Sequence, residues 1–510
     1  MSGPLVILGI DCGDPQLLDQ WLADGTLPAL AALRQRGGWG RLAGPEHVAE
    51  HGTALSLYSG QSRAAHGYYS FRQLAPGGYG LRSFSPRDTG TPPFWDHLRG
   101  GGQRVLIVDA AECALVPGLP GRQLANWATH QAAFPRLAAE AEPAGVLAEA
   151  RARFGPQQPL AEYLPRTTLA ADARALPGYL ARTRKKGELI RSWMRDGAYD
   201  LIVAEFHEVH TGSHRYWPYR PELQLDGPPP NALVHALRDL YLAVDQEIGL
   251  IVAQLPAEAN VFIVSPYGMQ DMYPSSPLLT DLLIQLGYQA PAAPRAPQPT
   301  RSPLAMARRW LPEPLRARLS RLLPPAAQER LVLAGLAQSV DWARTTAFAH
   351  PDYFNGMIFV NLKGRQPQGT VAAGAEYAAL LDRLTTDLLA LIDPVTQRPA
   401  IREVKRGSAL SGGEPPARLP DLFAHWAAVP HFIPTLKHPR VTVTQRQPQY
   451  YRNSGHWFEG YVIAAGPGVP RAGDLGRLAL LDLAPTWLKL LGAAVPAGLL
   501  GRPLAALEAA

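Results

Sequence analysis

His210 and His214 stand four residues apart in AEFHEVHTGSHRYWP, and His456 stands far along the chain in NSGHWFEGYVIAAGPGV. Three converging imidazoles can hold a divalent cation and leave a fourth position open to water, whose pKa falls to about 7 in well-known zinc sites. A His-xxx-His pair alone is as easily incidental as functional; its position beside an apolar run strengthens the metal reading. That run is 201–204, and Asp11 and the 265–269 segment follow two similar runs, Leu5–Ile10 and 261–264. In open α/β sheets, sites form outside the carboxyl ends of the strands.

The elements that must position these residues are legible as short apolar runs. Leu5–Ile10, Val105–Val108 and the runs 201–204, 261–264, 357–360 and 461–465 are nearly free of polar residues. Such runs suit strands buried on both faces of a parallel sheet. Helical stretches separate several of them, 17–36 with its Gly37-Gly38 stop being the first. The alternation predicts an α/β fold: a three-layer α/β/α sandwich with a mostly parallel central sheet, helical insertions and a smaller α+β cap.

At 510 residues the chain exceeds a typical single core, so one large domain with insertions, or two domains, is expected. The reading divides it into a core over 1–289 with a mostly helical insertion at about 112–195 that carries no visible chemistry. A Pro/Arg-rich helical insertion over 290–340 follows, then a cap over 341–445 and the last part of the core over 446–510. The 290–340 insertion holds Arg308, Arg309, Trp310, Arg316, Arg318 and Arg321. It reads as a lid or a membrane-surface contact through 301–330, or as a solvated helical hairpin. The 50 prolines and 47 glycines show no period, which excludes a fibrous chain.

The formal charge of +6 suits an anionic small-molecule substrate, though a general arginine bias gives the same balance. No nucleic-acid module is evident. Two cysteines, Cys12 and Cys113, cannot build a disulfide framework, which favours a reducing compartment. The opening MSGPLVILGIDCGDP reads as a first strand and not as a signal peptide, and no apolar run of about 18 residues appears. A cytoplasmic location is expected. Oligomeric state is not legible.

Taken in order, several blocks resemble those of the type I phosphodiesterase/nucleotide pyrophosphatase family of the alkaline phosphatase superfamily. ILGIDCGDPQLLDQWLADGTLPALAALRQRGGWGRL resembles its first metal-ligand segment and HGTALSLYSGQSRAAHGYYSF its nucleophile segment. EVHTGSH resembles its Asp-xxx-His motif, and VFIVSPYGM stands in place of its Ser-Asp-His-Gly-Met. NLKGRQPQG, LPDLF, SGHWFEGYVIAAGPG and LDLAPTWLKLLG through GRPL resemble later blocks.

The resemblance implies a two-metal site, usually of zinc, at one end of the sheet. One metal is held by the Asp-xxx-His pair and the late His. The other is held by the first Asp, the nucleophile hydroxyl and the Asp-His pair. Carried over, the first site is His210, His214 and His456, with His210 in place of the aspartate. That change removes a negative charge and favours a borderline metal such as zinc over magnesium. The second site keeps Asp11, but Pro266 and Tyr267 replace its Asp-His pair. The family hydroxyl lies ten residues before the Gly of Thr-Gly, and counting back from Gly60 reaches Glu50. Thr53 is the nearest hydroxyl. Glu50 and His51 are candidates for general base or extra ligands.

The resemblance thus implies a metal-dependent hydrolase of a phosphodiester-like or related anionic ester. Its three-His site binds one divalent ion, and a second ion binds if Glu50, His51 and Asp11 rebuild the depleted site. The alternatives are a non-catalytic binding or scaffold protein and a head-group transferase. Tyr267 is placed as a pocket-lining side chain and His66 as a turn-packing one. Asn361, Arg365, Asp421 and His425 are read as structural residues of the cap, and Trp217 as packing beneath the metal loop.

Overall fold

The computed structural model describes residues 3–44, 47–48, 51–131, 138–156, 160–161, 168–221, 232–272, 276–293, 333, 336–337, 339–351, 356–410, 413–446, 454–469 and 473–504. Glu50 and the basic 301–330 segment lie outside these residues, and so does the surface contact expected of that segment.

A nine-stranded sheet forms the centre. Its order is Gly473–Ala479, Gly38–Ala43, Glu459–Ala465, Asn260–Ser265, Leu5–Ile10, Leu201–Phe206, Val105–Val108, Gly121–Ala125 and Glu140–Glu142. Leu5–Ile10 pairs in parallel with both Leu201–Phe206 and Asn260–Ser265. Glu459–Ala465 runs against its neighbours, as does the edge strand Glu140–Glu142. Leu5–Ile10 is buried on both faces: Val6, Leu8 and Ile10 join one core, and Leu5 and Ile7 join the other. Alternate side chains point to opposite faces, so one apolar strand feeds both helical layers. The first layer contains the helices Leu169–Asp196, Glu208–Tyr216 and Ala236–Val252, and the second contains Thr53–Ser59 and Leu483–Leu490.

Two sequence expectations are corrected. The 17–36 stretch is not one helix but two, Pro15–Ala23 and Pro28–Arg36. Gly25 sits at φ +80 in the break, and Pro28 lacks the N–H that a continuing helix needs and disfavours helix at Leu27. Asp14 caps the first of these helices by accepting from the N–H groups of Gln16 and Leu17. The 112–195 segment is not simply helical, because Gly121–Ala125 and Glu140–Glu142 lengthen the main sheet. Its 28-residue helix Leu169–Asp196 then packs across the sheet.

The smaller unit is a four-stranded antiparallel sheet ordered Ala347–Ala349, Gly356–Val360, Leu422–Trp426 and Ile401–Arg406. The 357–360 run therefore belongs to this cap sheet and not to the main one. Leu278 and Leu282 of the helix Ser276–Gln285 share its core with Leu380 and Leu384 of Ala375–Leu389. Asp421 is fully buried, ion-paired to Arg365 and hydrogen-bonded by the Tyr377 hydroxyl at 2.7 Å. Asn361 donates to the carbonyls of Trp342, Thr345 and Gln368. Both Asn361 and Arg365 tie loops of the cap together.

Candidate metal centre

Adjacent parallel strands assemble the centre. Ile10 lies in register with Phe206, and the Asp11 N–H donates to the Phe206 carbonyl at 3.0 Å. Asp11 and His207, the next residues, therefore emerge side by side. The chain then turns into the helix Glu208–Tyr216, whose 3.6-residue period puts His210 and His214 on one face. His456 arrives from Ser454–Trp457, which pairs antiparallel with Gly268–Asp271, setting Met269 opposite His456.

The three Nε2 atoms converge. His456 Nε2 lies 3.0 Å from His210 Nε2 and 3.0 Å from His214 Nε2. All three residues are buried. The opposite nitrogens are engaged elsewhere: His210 Nδ1 with Asp11 Oδ2 at 2.9 Å, and His214 Nδ1 with Ser454 Oγ at 3.0 Å. A histidine that donates from Nδ1 presents a bare lone pair at Nε2, the arrangement of metal-bound imidazoles with a carboxylate or hydroxyl behind them. At these separations one Nε2–H can serve only one neighbour. The donor set therefore fits a cation at the centre, and its neutral nitrogen ligands suit a borderline metal.

Asp11 lies one hydrogen bond behind His210. Its Oδ2 receives His207 Nδ1 at 2.7 Å as well as His210 Nδ1, and its Oδ1 receives the Tyr267 hydroxyl at 3.0 Å. The Tyr267 ring stands edge-on to His456, with centroids 5.2 Å apart. His207 Nε2 meets the Asp109 carbonyl at 2.8 Å, so both its nitrogens lie against oxygen atoms. Asp11, Glu205 and His207 also form a second group whose donor atoms lie within 4.8 Å of one another. Burial pushes the Glu205 carboxyl up to about 7 against the opposing pull of His207.

A buried charge network supports this second group. Lys186, fully buried, donates to the carbonyls of Ala128 at 2.8 Å and Glu205 at 2.7 Å, and its Nζ lies 3.3 Å from Asp109 Oδ2. Arg182 Nε pairs with Glu208 at 2.8 Å. Both cations come from the Leu169–Asp196 helix, in the insertion that the sequence reading had left without chemistry. A helix face of Arg182 and Lys186, four apart, reads as solvated, and only the tertiary fold shows it turned inward. Ser454 was also missed, although it stands two residues before His456, and alternate residues of a strand share a face.

Thr53 and His51 lie at the start of Thr53–Ser59. The Thr53 hydroxyl donates to the Val48 carbonyl at 3.2 Å and accepts from Arg63 at 3.0 Å, so its bonds stay within this segment. His51 Nδ1 lies 3.8 Å from Glu112 Oε1. The Glu112 carboxylate accepts from the N–H groups of Gly52 and Leu55, taking up the anion-attracting end of that helix. His66 accepts at Nδ1 from the Tyr68 N–H and faces Ser56 Oγ at 2.9 Å through Nε2. Burial holds it down to about 3, as a neutral turn residue. Trp217 donates to Asp271 at 2.7 Å and packs in the core under the histidine helix.

Fold and site together define an α/β protein with a three-imidazole centre at the carboxyl edge of its sheet. Residues 5–289, more than half of the chain, match the family described as type I phosphodiesterase/nucleotide pyrophosphatase. The chain belongs to that family, and its class is that of the phosphoester hydrolases. Phosphonoacetate hydrolase from Sinorhizobium meliloti 1021, solved with phosphonoformate and with phosphonoacetate, aligns at 14% identity over 97% of this chain and 96% of its own, with a TM-score of 0.48. Human ectonucleotide pyrophosphatase/phosphodiesterase 5 aligns at 9% identity over the same shares, with a TM-score of 0.47. No curated protein matches the sequence. Among the described residues no helix is long and apolar enough to cross a membrane.

Proposed function

We propose that this chain hydrolyses a small phosphodiester-like substrate with one divalent cation, zinc, held by Nε2 of His210, His214 and His456. The observation that carries the reading is the meeting of three Nε2 atoms, two of them backed by Asp11 and Ser454. A divalent cation bound there supplies Lewis-acid polarisation of a phosphoryl oxygen. The chain's own residues do the rest. Asp11 fixes the tautomer of His210 and is itself held by His207 and Tyr267. Tyr267 thus takes the place of a second-metal ligand and hydrogen-bonds the retained carboxylate instead.

In this reading water, and not Thr53, attacks phosphorus, because the Thr53 hydroxyl is already committed to Val48 and Arg63. Glu50 or His51, which precede Thr53 in the sequence, takes the water's proton, while the P–O bond to the leaving group breaks and the released oxygen takes a proton from solvent. Asp11, committed to three donors, orients. The test is hydrolysis of bis(p-nitrophenyl) phosphate by zinc-loaded protein. Activity that disappears in His214→Ala and persists in Thr53→Ala supports the reading. Activity that Thr53→Ala abolishes, in a protein that still binds zinc, assigns attack to the hydroxyl and overturns the water mechanism.

A further inference from the structure

The helix that carries His210 and His214, Glu208–Tyr216, has nine residues. Helices this short are marginal on their own, so tertiary contacts must hold it in place. The long helix Leu169–Asp196 supplies one at each end. At the start, Arg182 Nε donates to Glu208 Oε1 at 2.8 Å, and the same guanidinium donates to the Thr129 carbonyl at 2.8 Å. At the end, Arg215 Nε donates to Asp172 Oδ1 at 2.8 Å. The Tyr216 hydroxyl donates to the Asp172 carbonyl at 3.0 Å, and the Tyr219 hydroxyl to Asp172 Oδ2 at 2.7 Å. In the chain, His210 and His214 both lie between these two contacts.

The long helix is itself fastened to the sheet. Lys186, one turn beyond Arg182, donates to the carbonyl of Glu205 in the strand Leu201–Phe206 at 2.7 Å and to that of Ala128 at 2.8 Å. Phe206 of that strand pairs with Ile10, the residue before Asp11. A further contact sets the depth of the short helix. Gly212 stands between the two histidines, and a Cβ there would come within 2.2 Å of Leu240 Cδ1 on the helix Ala236–Val252. Glu208, Arg182 and Asp172 are all buried, where opposite charges attract more strongly than in water. A metal-ligand constellation must be held to within about 0.5 Å of its productive geometry. Sliding or rotation of the short helix would carry His210 and His214 together away from His456.

We propose that Arg182 and Asp172 are positioning residues for the metal centre. Through Glu208 and Arg215 they clamp the helix on which two of the three imidazoles ride, and so set the affinity and the geometry with which a divalent cation is held. The inference rests on the three-histidine reading and deepens it: the helix Leu169–Asp196 belongs to the machinery of metal binding although it supplies no ligand.

Titration of the full chain with cobalt(II), followed by visible absorption, tests this, because the spectrum of that ion reports how its ligands are arranged. Arg182→Met is expected to bind cobalt at least about tenfold more weakly than the wild type, with an altered spectrum. Arg182→Lys, which keeps the charge and loses the planar fork, should recover part of the loss. Asp172→Asn should weaken binding in the same direction. Asp421→Asn is the control: it breaks a buried ion pair in the cap, so it should lower stability toward denaturant and leave cobalt affinity and spectrum as in the wild type. Wild-type affinity and spectrum in folded Arg182→Met overturn the clamp, as does an equal loss in Asp421→Asn. Where Arg182→Met does not fold, the same result in Arg215→Gln, at the more exposed end of the clamp, overturns it. A wild type that binds no cobalt overturns the three-histidine reading and the clamp with it, whereas a wild type that binds beside clamp variants that bind equally well sinks the clamp alone.

Discussion

Asp11→Asn separates an orienting carboxylate from a metal ligand. In the native site Oδ2 receives two imidazole N–H groups, from His207 at 2.7 Å and His210 at 2.9 Å, while Oδ1 receives the Tyr267 hydroxyl at 3.0 Å. Asparagine can set its carbonyl oxygen where Oδ2 stands and its amide toward Tyr267, whose hydroxyl can turn to accept. Shape and hydrogen-bond count survive, and the charge is lost. Charge-assisted hydrogen bonds are roughly twice as strong as neutral ones, so His210 is held less firmly and is less basic at Nε2. Loss of such a supporting carboxylate typically costs about 10- to 100-fold in metal affinity, or about 1.4 to 2.7 kcal/mol. The assay is zinc affinity by competition with a chromogenic chelator, with His210→Ala alongside. Unchanged affinity would show that the Asp11–His210 bond does nothing for the metal. A loss as complete as that of His210→Ala would make Asp11 a direct ligand and refute the orienting role.

Lys186→Met removes a fully buried cation and leaves Asp109, 3.3 Å away, without an ion-pair partner among the described residues. Breaking one side of a buried pair costs about 3 to 5 kcal/mol, so denaturant unfolding should show a large loss of stability. The substitution Arg122→Met, which loses partly exposed pairs with Glu149 and Asp196, should cost no more than about 1 kcal/mol. Asp14 provides a pH signature. Burial pushes its carboxyl from 3.8 up to about 6, against hydrogen bonds from Leu17, Met269 and Gln16. The folded protein then holds the proton more tightly than the unfolded chain, so this group lowers stability as pH rises from about 4 to about 6, and the deficit persists above. Asp14→Asn keeps the helix cap and removes the deficit. Its gain over wild type should be absent near pH 4 and reach at most about 3 kcal/mol above pH 6. A gain independent of pH would contradict the assignment.

What the sequence disclosed, and what it hid, follows from the range of the interactions involved. Leu5–Ile10 and Val105–Val108 were legible because strands buried on both faces must be apolar throughout. His210 and His214 were legible because the His-xxx-His pair follows directly on an apolar run, where sites form at the carboxyl end of a strand. His456 could be joined to them only through the order of family blocks, since its approach depends on pairing with Gly268–Asp271. The inward turn of Arg182 and Lys186 left no local mark: a basic helix face looks the same in sequence whether it meets water or buried carboxylates. The role of Tyr267 as the hydroxyl partner of Asp11 was hidden for the same reason, because the two are brought together by the register of neighbouring strands. The apolar pattern over 17–36 misled in the other direction: it suggested one helix, whereas the first stops at Ala23 and Pro28 opens a second.

The central claim is a single metal held by three imidazoles, and metal content of the purified, zinc-reconstituted protein tests it most directly. One equivalent is expected in the wild type, lost in both His210→Ala and His456→Ala and kept in Glu205→Gln. No metal in the wild type would contradict the account outright. Two equivalents, with one lost in Glu205→Gln, would place a second ion at Asp11, Glu205 and His207 and contradict the one-metal site.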